Sequence, residues 1–363
     1  MPFKLPPVAA GKVPVWLAAV LAAIAAGLGV LGNKALTPTP APEVVYLPAP
    51  AEEHDGDDQQ AAGATGWVSD PVAVAQVLTG PTAPVPFDET PAFRDGPEPD
   101  GVYLWKAQEQ VTGRPVTSKN QGSVGSCVSF GTNTAIERTI AAGILSGGQG
   151  EWRPIAEEVT YGGSRVEVGG GRIRGDGSIG AWAAQFVNRY GVVTRDRHGR
   201  HDLSRYSEAL AREYGRRGVP DDLEPVAKAH PVKEVALVRD WASAKKALGS
   251  GYGIAVCSSQ GFSMQRDAKG VAAPRGTWFH CMAVDGYHKD ADGREYGHVE
   301  NSWGEHAHRG PVGWGDPPKS GFWADSRVID RMLRQGDSWC FSDVAGFPAR
   351  AVPAAITAPH VKP

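Results

Sequence analysis

Three side chains that lie far apart in the chain have the types that thiol chemistry needs: Cys127, His280 and Asn301, separated by 153 and 21 residues. Cys127 follows "NQGSVGS", a run of small residues with Gly122 and Gly125. It opens "CVSFGTNTAIERTIAAGIL", whose Val128, Ile136, Ile140 and Ile144 fall at near-helical spacing. A sulfur at a helix start lies among unpaired backbone N–H groups at the positive end of the macrodipole, which favours thiolate. Taken alone, a cysteine there is more often a small buried hydrophobe. His280 in "HCMAVDGYH" supplies a base that becomes an imidazolium partner. Asn301 in "VENSWGE" supplies a side-chain carbonyl to fix the ring, and Trp303 can shield that bond from water. Gln121, six residues before Cys127, can present an amide N–H to an oxyanion beside the Cys127 backbone N–H.

The elements that must position these groups change character along the chain. After the helix predicted from Cys127 to Leu145, "AWAAQFVNRYG" (Ala181 to Gly191) and "DWASAKKALGSG" (Asp240 to Gly251) read as further helices, each ending at glycine. "GIAVCSS", "WFHCMAVDGYH" and "REYGHVENSW" are short apolar or alternating runs bounded by glycine and charged turns, so they read as strands. Helices first and strands later predict an α+β fold with a helical half and a sheet half.

Composition narrows the function classes. The 363 residues, 41% hydrophobic and 21% charged, are enough for one large or two modest cores. Lys and Arg (37) nearly balance Asp and Glu (40), and no basic run interleaves with aromatics, so a nucleic-acid partner is not expected. Cys127, Cys257, Cys281 and Cys340 show no CxxC spacing, which excludes a dense disulfide framework and a zinc-finger pattern. The sequence leaves open whether Cys257 and Cys340 pair. Cys281 alternates away from His280 and is expected to be packed. His298, His306 and His308 lack the acid or cysteine spacing of a metal site and are expected to be solvated loop residues, so no metal or cofactor is implied. "GDGSIG" has glycine spacing suited to a dinucleotide but no apolar strand leading into it. "RGD" at Arg174 to Asp176 is read as coincidence.

The N-terminal third reads differently. Val13 to Gly32 carries no charge over 20 residues, enough to cross a bilayer core at about 1.5 Å per residue. Lys4 and Lys12 precede it and acids follow, which places a tail over 1–12 in the cytoplasm, an anchor over 13–32 in the lipid bilayer, and the rest outside the cytoplasm. The alternative is a signal peptide whose cleavage would leave a secreted product. Residues 33–99, rich in Pro, Ala and acids, are expected to form an extended spacer, with "DPVAVAQVL" (Asp70 to Leu78) as one short helix. The spacer could thread a cleft as a strand but is not expected to fold as an independent plug, so a form retaining residues 37–99 is expected to be active. Compact structure is expected over 100–348, with a flexible tail over 349–363.

The set "QGSVGSC" (Gln121, Cys127), "HCMAVDGY" (His280) and "NSWG" (Asn301, Trp303) resembles the papain family of cysteine proteases. "LWKAQEQVTGRPVTSKNQG" resembles the start of a mature domain of that family, and "GDGSIGAWAAQFVNRYGVVT" its glycine loop and following helix. The resemblance covers about residues 100 to 345. It implies a two-subdomain fold, a helical N-terminal half and an antiparallel sheet or barrel C-terminal half, with the active site in the cleft between them. It implies Cys127 as nucleophile, His280 as general base and then acid, Asn301 as orienting group and Gln121 as oxyanion donor. Gly125, Ser126, Gly177, Ser178 and Trp303 would meet a peptide or protein substrate, with Gly177 offering backbone hydrogen bonds. The chain departs from the pattern in places. Val124 and Gly175 stand where many members have a disulfide pair, Val128 where a tryptophan is common, Ser178 where a second glycine is usual, and Asp285 where the residue is normally apolar. "EHAHRGPVGWG" is longer than the usual link after "NSWG". The expected activity is that of an anchored, extracytoplasmic cysteine peptidase. The alternatives are a related acyl-transfer enzyme, such as a transpeptidase or cell-wall amidase, and a catalytically silent binding module. Oligomeric state is not encoded legibly.

Overall fold

The computed structural model describes residues 64–357. The expected cytoplasmic tail, the apolar run 13–32, residues 33–63 and the last six residues lie outside the described residues. Among the described residues, no helix is long and apolar enough to cross a membrane.

From residue 64 the stretch expected as an extended spacer is built into the molecule. Asp70 accepts a hydrogen bond from the Ala73 N–H at 2.9 Å and so caps α1 (Pro71–Thr79), where Pro71 sits at a position that needs no N–H. Nine residues are too few for a helix to stand alone. Ala73, Val74 and Val77 stabilise it by packing into the core that holds Trp182 and Phe186. Thr90 caps α2 (Pro91–Asp95), and Phe87 and Ala92 are buried in a second core. The composition hid this because the apolar residues are few and widely spaced, and most of them are buried, with Val72 and Val85 left exposed.

The helical half follows β1 (Gly101–Tyr103) and α3 (Leu104–Thr112). Its central element is α4 (Cys127–Leu145), buried along nearly its whole length, which explains why its apolar spacing is only near-helical. Around it lie α5 (Glu157–Gly163) and α6 (Gly180–Tyr190), the latter stopped by Gly191 at φ +87°. The small ladder of β2 (Arg197–His198) and β3 (His201–Asp202), then α7 (Glu208–Arg217) and α8 (Glu224–Lys228), complete this half.

The sheet half holds β4 (Glu234–Leu237), α9 (Trp241–Gly249, capped by Asp240), β5 (Ile254–Arg266), β6 (Ala272–Lys289), β7 (Glu295–Glu300), β8 (Gly321–Asp325), α10 (Ser326–Leu333) and β9 (Asp337–Ser342). Its antiparallel order is β4-β9-β5-β6-β7-β8, with β1 pairing on β6. The α+β architecture expected from the sequence, a helical half and then an antiparallel sheet half, is the one found.

Alternation along the strands sorts side chains onto two faces. Cys257 and Cys281, direct partners across β5 and β6, face α4 and α6, while Val256, Met282 and Cys340 face the opposite core. Cys257 and Cys340 therefore lie on opposite sides of the sheet and do not pair; all four cysteines are free. The C-terminal tail is packed rather than flexible through residue 357. Ile356 is fully buried, and the Arg350 guanidinium lies 4.2 Å over the Tyr252 ring while pairing with Asp343 at 2.9 Å.

A buried polar network joins the halves behind the cleft. Arg138 on α4 donates from Nε to Asp285 on β6 at 2.8 Å and also pairs with Glu300 on β7 and Gln108 on α3. The His298 ring bonds the other Asp285 oxygen at 2.6 Å. Asp285, out of place for the pattern its motif resembles, has a partner for each oxygen. Burial works to raise its pKa, but His298 and Arg138 hold it below the usual carboxylate range. The network ties the helix that carries Cys127 to the strands that carry His280 and lead into Asn301.

Candidate active site

Cys127 is the first residue of α4, fully buried against β6. Backbone N–H groups of Cys281, Val128 and Gly66 lie against its sulfur and favour the thiolate, but burial outweighs them and pushes the thiol well above its ordinary range. His280, the residue before Cys281, is also fully buried, and burial pushes its pKa down to about 4 despite the Asn301 hydrogen bond. Both groups are therefore neutral in this state at pH 7. The thiolate expected from the helix-start position alone is not the form the structure favours.

The His280–Asn301 relationship is present as expected. His280 Nε2 lies 2.9 Å from Asn301 Oδ1, and the Trp303 ring packs over the imidazole with centroids 4.6 Å apart. His280 Nδ1 is buried with no hydrogen-bond partner among the described residues, leaving that nitrogen for a proton donor or acceptor. Gln121 is locked from two sides: its N–H donates to Ser302 O at 2.8 Å, and its Oε1 accepts from Ser302 Oγ at 2.6 Å. Its Nε2 donates to Val124 O and to Ala64 O, both at 2.8 Å.

The Ala64 carbonyl belongs to the segment expected as a spacer. Residues 64–68 run through the cleft as an extended strap bound by both walls. Trp67 N–H donates to Phe279 O at 3.0 Å, Ser178 N–H donates to Gly66 O at 2.8 Å, and Val68 N–H donates to Ser178 O at 2.9 Å. Trp303 Nε1 adds a second donor to Ala64 O at 3.1 Å. The Trp67 side chain fills a pocket, stacked on Phe279 with centroids 6.3 Å apart, and its indole N–H donates to the buried Asp337 carboxylate at 2.8 Å. The strap lies against the Gln121 amide through Ala64 O and beside the Cys127 thiol at Gly66. The stretch threads the cleft as a strand, the placement that its composition allowed, rather than as an independently folded plug; the sign in the sequence is the small-residue run around Gly66.

The remaining expected substrate contacts divide. Ser178 meets the strap with both backbone groups, whereas Gly177 does not: its N–H goes to Tyr161 Oη at 3.1 Å, and its carbonyl accepts from Arg165. The φ of +112° at Gly177 turns its own amide away from the cleft and presents that of Ser178. Gly125 lines the cleft so closely that its carbonyl faces Gly66, and its N–H is held by Asp176 at 3.0 Å. Ser126 is turned away, with its hydroxyl 3.0 Å from Tyr206 Oη. His308, expected to be solvated, is buried beside Asn301, with Nε2 3.2 Å from Asn301 Nδ2.

No family model matches the chain, and no curated protein matches it. Solved structures similar to it include xylellain, a cysteine protease from Xylella fastidiosa, at 15% identity and a TM-score of 0.48, covering 77% of this chain and 92% of that one. The Amb a 11 cysteine protease of ragweed pollen, in its proform, is similar at 16% identity and 0.47, covering 75% and 72%. The digestive procathepsin L 3 of Tenebrio molitor larval midgut is similar at 16% identity and 0.46, covering 74% and 77%.

Proposed function

We propose that the chain is a papain-like cysteine peptidase that acts through Cys127, His280, Asn301 and Gln121, and that its own residues 64–68 hold it latent. The observation that carries this reading is the occupant of the cleft. An extended backbone donates to the Phe279 carbonyl, exchanges main-chain hydrogen bonds with Ser178 and places a carbonyl on the Gln121 amide. Such bonds grip any extended peptide and leave selectivity to side-chain pockets.

With the strap displaced, His280 takes the Cys127 proton and the thiolate attacks the scissile carbonyl carbon. The carbonyl π pair moves to oxygen, and Gln121 Nε2 with the Cys127 backbone N–H stabilises that oxyanion. Collapse breaks the C–N bond as His280 gives its proton to the leaving amine. Water, deprotonated by the same ring, then attacks the thioester; the carboxylate departs and the thiol is restored. Asn301 holds the imidazole in the tautomer that both steps use.

The anchored, extracytoplasmic placement is part of the proposal and rests on the uncharged run 13–32 with Lys4 and Lys12 before it. The intact protein is expected to stay with membranes through carbonate extraction; a soluble product beginning shortly after residue 25 would favour signal cleavage.

The test of the activity is covalent. A thiol-directed epoxide is added to the full chain carrying Gly66→Ala, which cannot seat the strap, and the adduct is mapped by mass spectrometry. Labelling at Cys127 that Cys127→Ala abolishes and Cys257→Ala leaves intact supports the assignment. Equal labelling of Cys127→Ala would overturn it.

A further inference from the structure

Which way the Asn301 amide faces decides whether it can hold His280. A backbone donor settles the question: Ser302 N–H approaches Asn301 Oδ1 at 2.7 Å, so that atom is the oxygen and the other terminal atom is the nitrogen. Asn301 Nδ2 therefore carries the hydrogens that face His308 Nε2, 3.2 Å away. A nitrogen that receives a hydrogen bond cannot itself carry a proton, which fixes His308 as the neutral ring protonated on Nδ1.

The surroundings hold His308 in place. Its ring packs on Phe322 with centroids 4.6 Å apart and is 3% exposed. Its loop is clamped by Arg266 on β5, whose guanidinium donates to four carbonyls: His308 at 3.0 Å, Gly310 at 2.8 Å, Lys319 at 3.1 Å and Gly321 at 2.7 Å. The charged and titratable groups facing the ring are Arg266 and His280. Burial and then Arg266 push the His308 pKa down to about 3, against the Ser263 backbone, so the ring stays an acceptor across the working range.

We infer that His308 is a positioning residue of the reaction proposed above: by accepting from Asn301 Nδ2 it keeps Asn301 Oδ1 turned toward His280 Nε2. The relay runs His280, Asn301, His308, and its last member comes from the long loop after "NSWG". This inference rests on the peptidase reading. Without the acceptor, Asn301 rotates or turns its NH2 toward the ring, and the imidazolium loses its partner.

The test compares His308→Gln, whose amide oxygen can replace Nε2 as acceptor, with His308→Phe, which fills the space and accepts nothing. Both are made in the full chain carrying Gly66→Ala. His308→Phe is expected to lower kcat about 10-fold with KM little changed. It should also move the basic limb of the kcat/KM profile to lower pH, because a less supported imidazolium gives up its proton sooner. His308→Gln is expected to restore most of the rate and the position of the limb. Equal losses in both variants, or a wild-type profile in His308→Phe, would overturn the inference. A Gly66→Ala parent that neither turns over peptide nor takes the epoxide would instead sink the peptidase reading. The tautomer is measured apart from turnover, by 15N NMR of the imidazoles in the unsubstituted full chain. An Nδ1-protonated neutral His308 at pH 7 is expected, and an Nε2-protonated or charged ring would contradict the relay.

Discussion

The Trp67 indole N–H donates to the Asp337 carboxylate at 2.8 Å across 270 residues of sequence, and this contact pins the strap into the wall of the cleft. Asp337 also accepts from Trp339 Nε1 and from the Gly180 N–H, both at 2.8 Å. Burial lifts its carboxyl to about 6, with these donors opposing. Trp67 is therefore the strap's anchor, and Trp67→Ala removes both its buried ring and the bond. Truncating a buried aromatic costs about 3 kcal/mol or more, roughly two orders of magnitude in the open fraction. The rate of Cys127 alkylation in the full chain is expected to rise by about that factor; an unchanged rate would show that the backbone bonds hold the strap without the side chain.

Acid should loosen the molecule, through its buried histidines. His280 at about 4 and His308 at about 3 both sit below the ordinary 6.5. A depressed value means stability that is fully present above about 6.5 and is lost as pH falls toward the folded-state value, up to about 1.4 kcal/mol per unit for each group. Asp337, raised to about 6 from 3.8, has the opposite sign and loses stability as pH rises through 6. Between pH 6.5 and 4 the fall in Tm is expected to be smaller in His308→Gln than in the parent, because one of the two histidine contributions is gone. Parallel Tm curves would remove His308 as a buried neutral ring.

Arg138 neutralises a pocket that would otherwise hold Asp285 and Glu300 as buried acids on neighbouring strands. Arg138→Met keeps most of the packing, leaves Glu300 without its cation and leaves Asp285 with His298 alone. The expected loss is roughly 3–5 kcal/mol by denaturant unfolding at pH 7. A loss below about 1 kcal/mol would mean that water or the remaining partners compensate.

Gln121 holds Ala64 O now and would hold an oxyanion during turnover. Gln121→Ala in the Gly66→Ala chain is expected to lower kcat by roughly 10² to 10³ while epoxide labelling of Cys127 persists. Loss of labelling together with turnover would indicate that Gln121 instead supports the fold through Ser302.

Much of this arrangement is legible in the sequence because local rules govern it. Cys127 begins its helix, Gly191 ends another, a third follows Asp240, and His280 lies on a strand, all as the local pattern predicts. What escapes is decided by distant partners. His308 lies in a polar loop, and distant partners bury it: the Arg266 guanidinium, 42 positions away, clamps its carbonyl and Phe322 packs on its ring. Ser178 rather than Gly177 meets the strap because of one backbone angle, which no residue pattern encodes. The strap is bound mainly through its backbone, so its sequence needs little beyond Trp67 and a glycine where a side chain cannot fit.

That glycine offers the most direct test. A Cβ on Gly66 would stand 2.1 Å from the Gly125 carbonyl oxygen, so Gly66→Ala cannot seat the strap as it lies and yet leaves every cleft residue untouched. Hydrolysis of a short peptide at pH 7 is compared between the full chain, Gly66→Ala, and Gly66→Ala with Cys127→Ala. The expected result is near silence from the unsubstituted chain, a gain in kcat/KM of about a hundredfold or more in Gly66→Ala, and its complete loss when Cys127 is also replaced. Equal activity of the first two chains, or activity that survives Cys127→Ala, would contradict a thiol peptidase latched by its own residues 64–68.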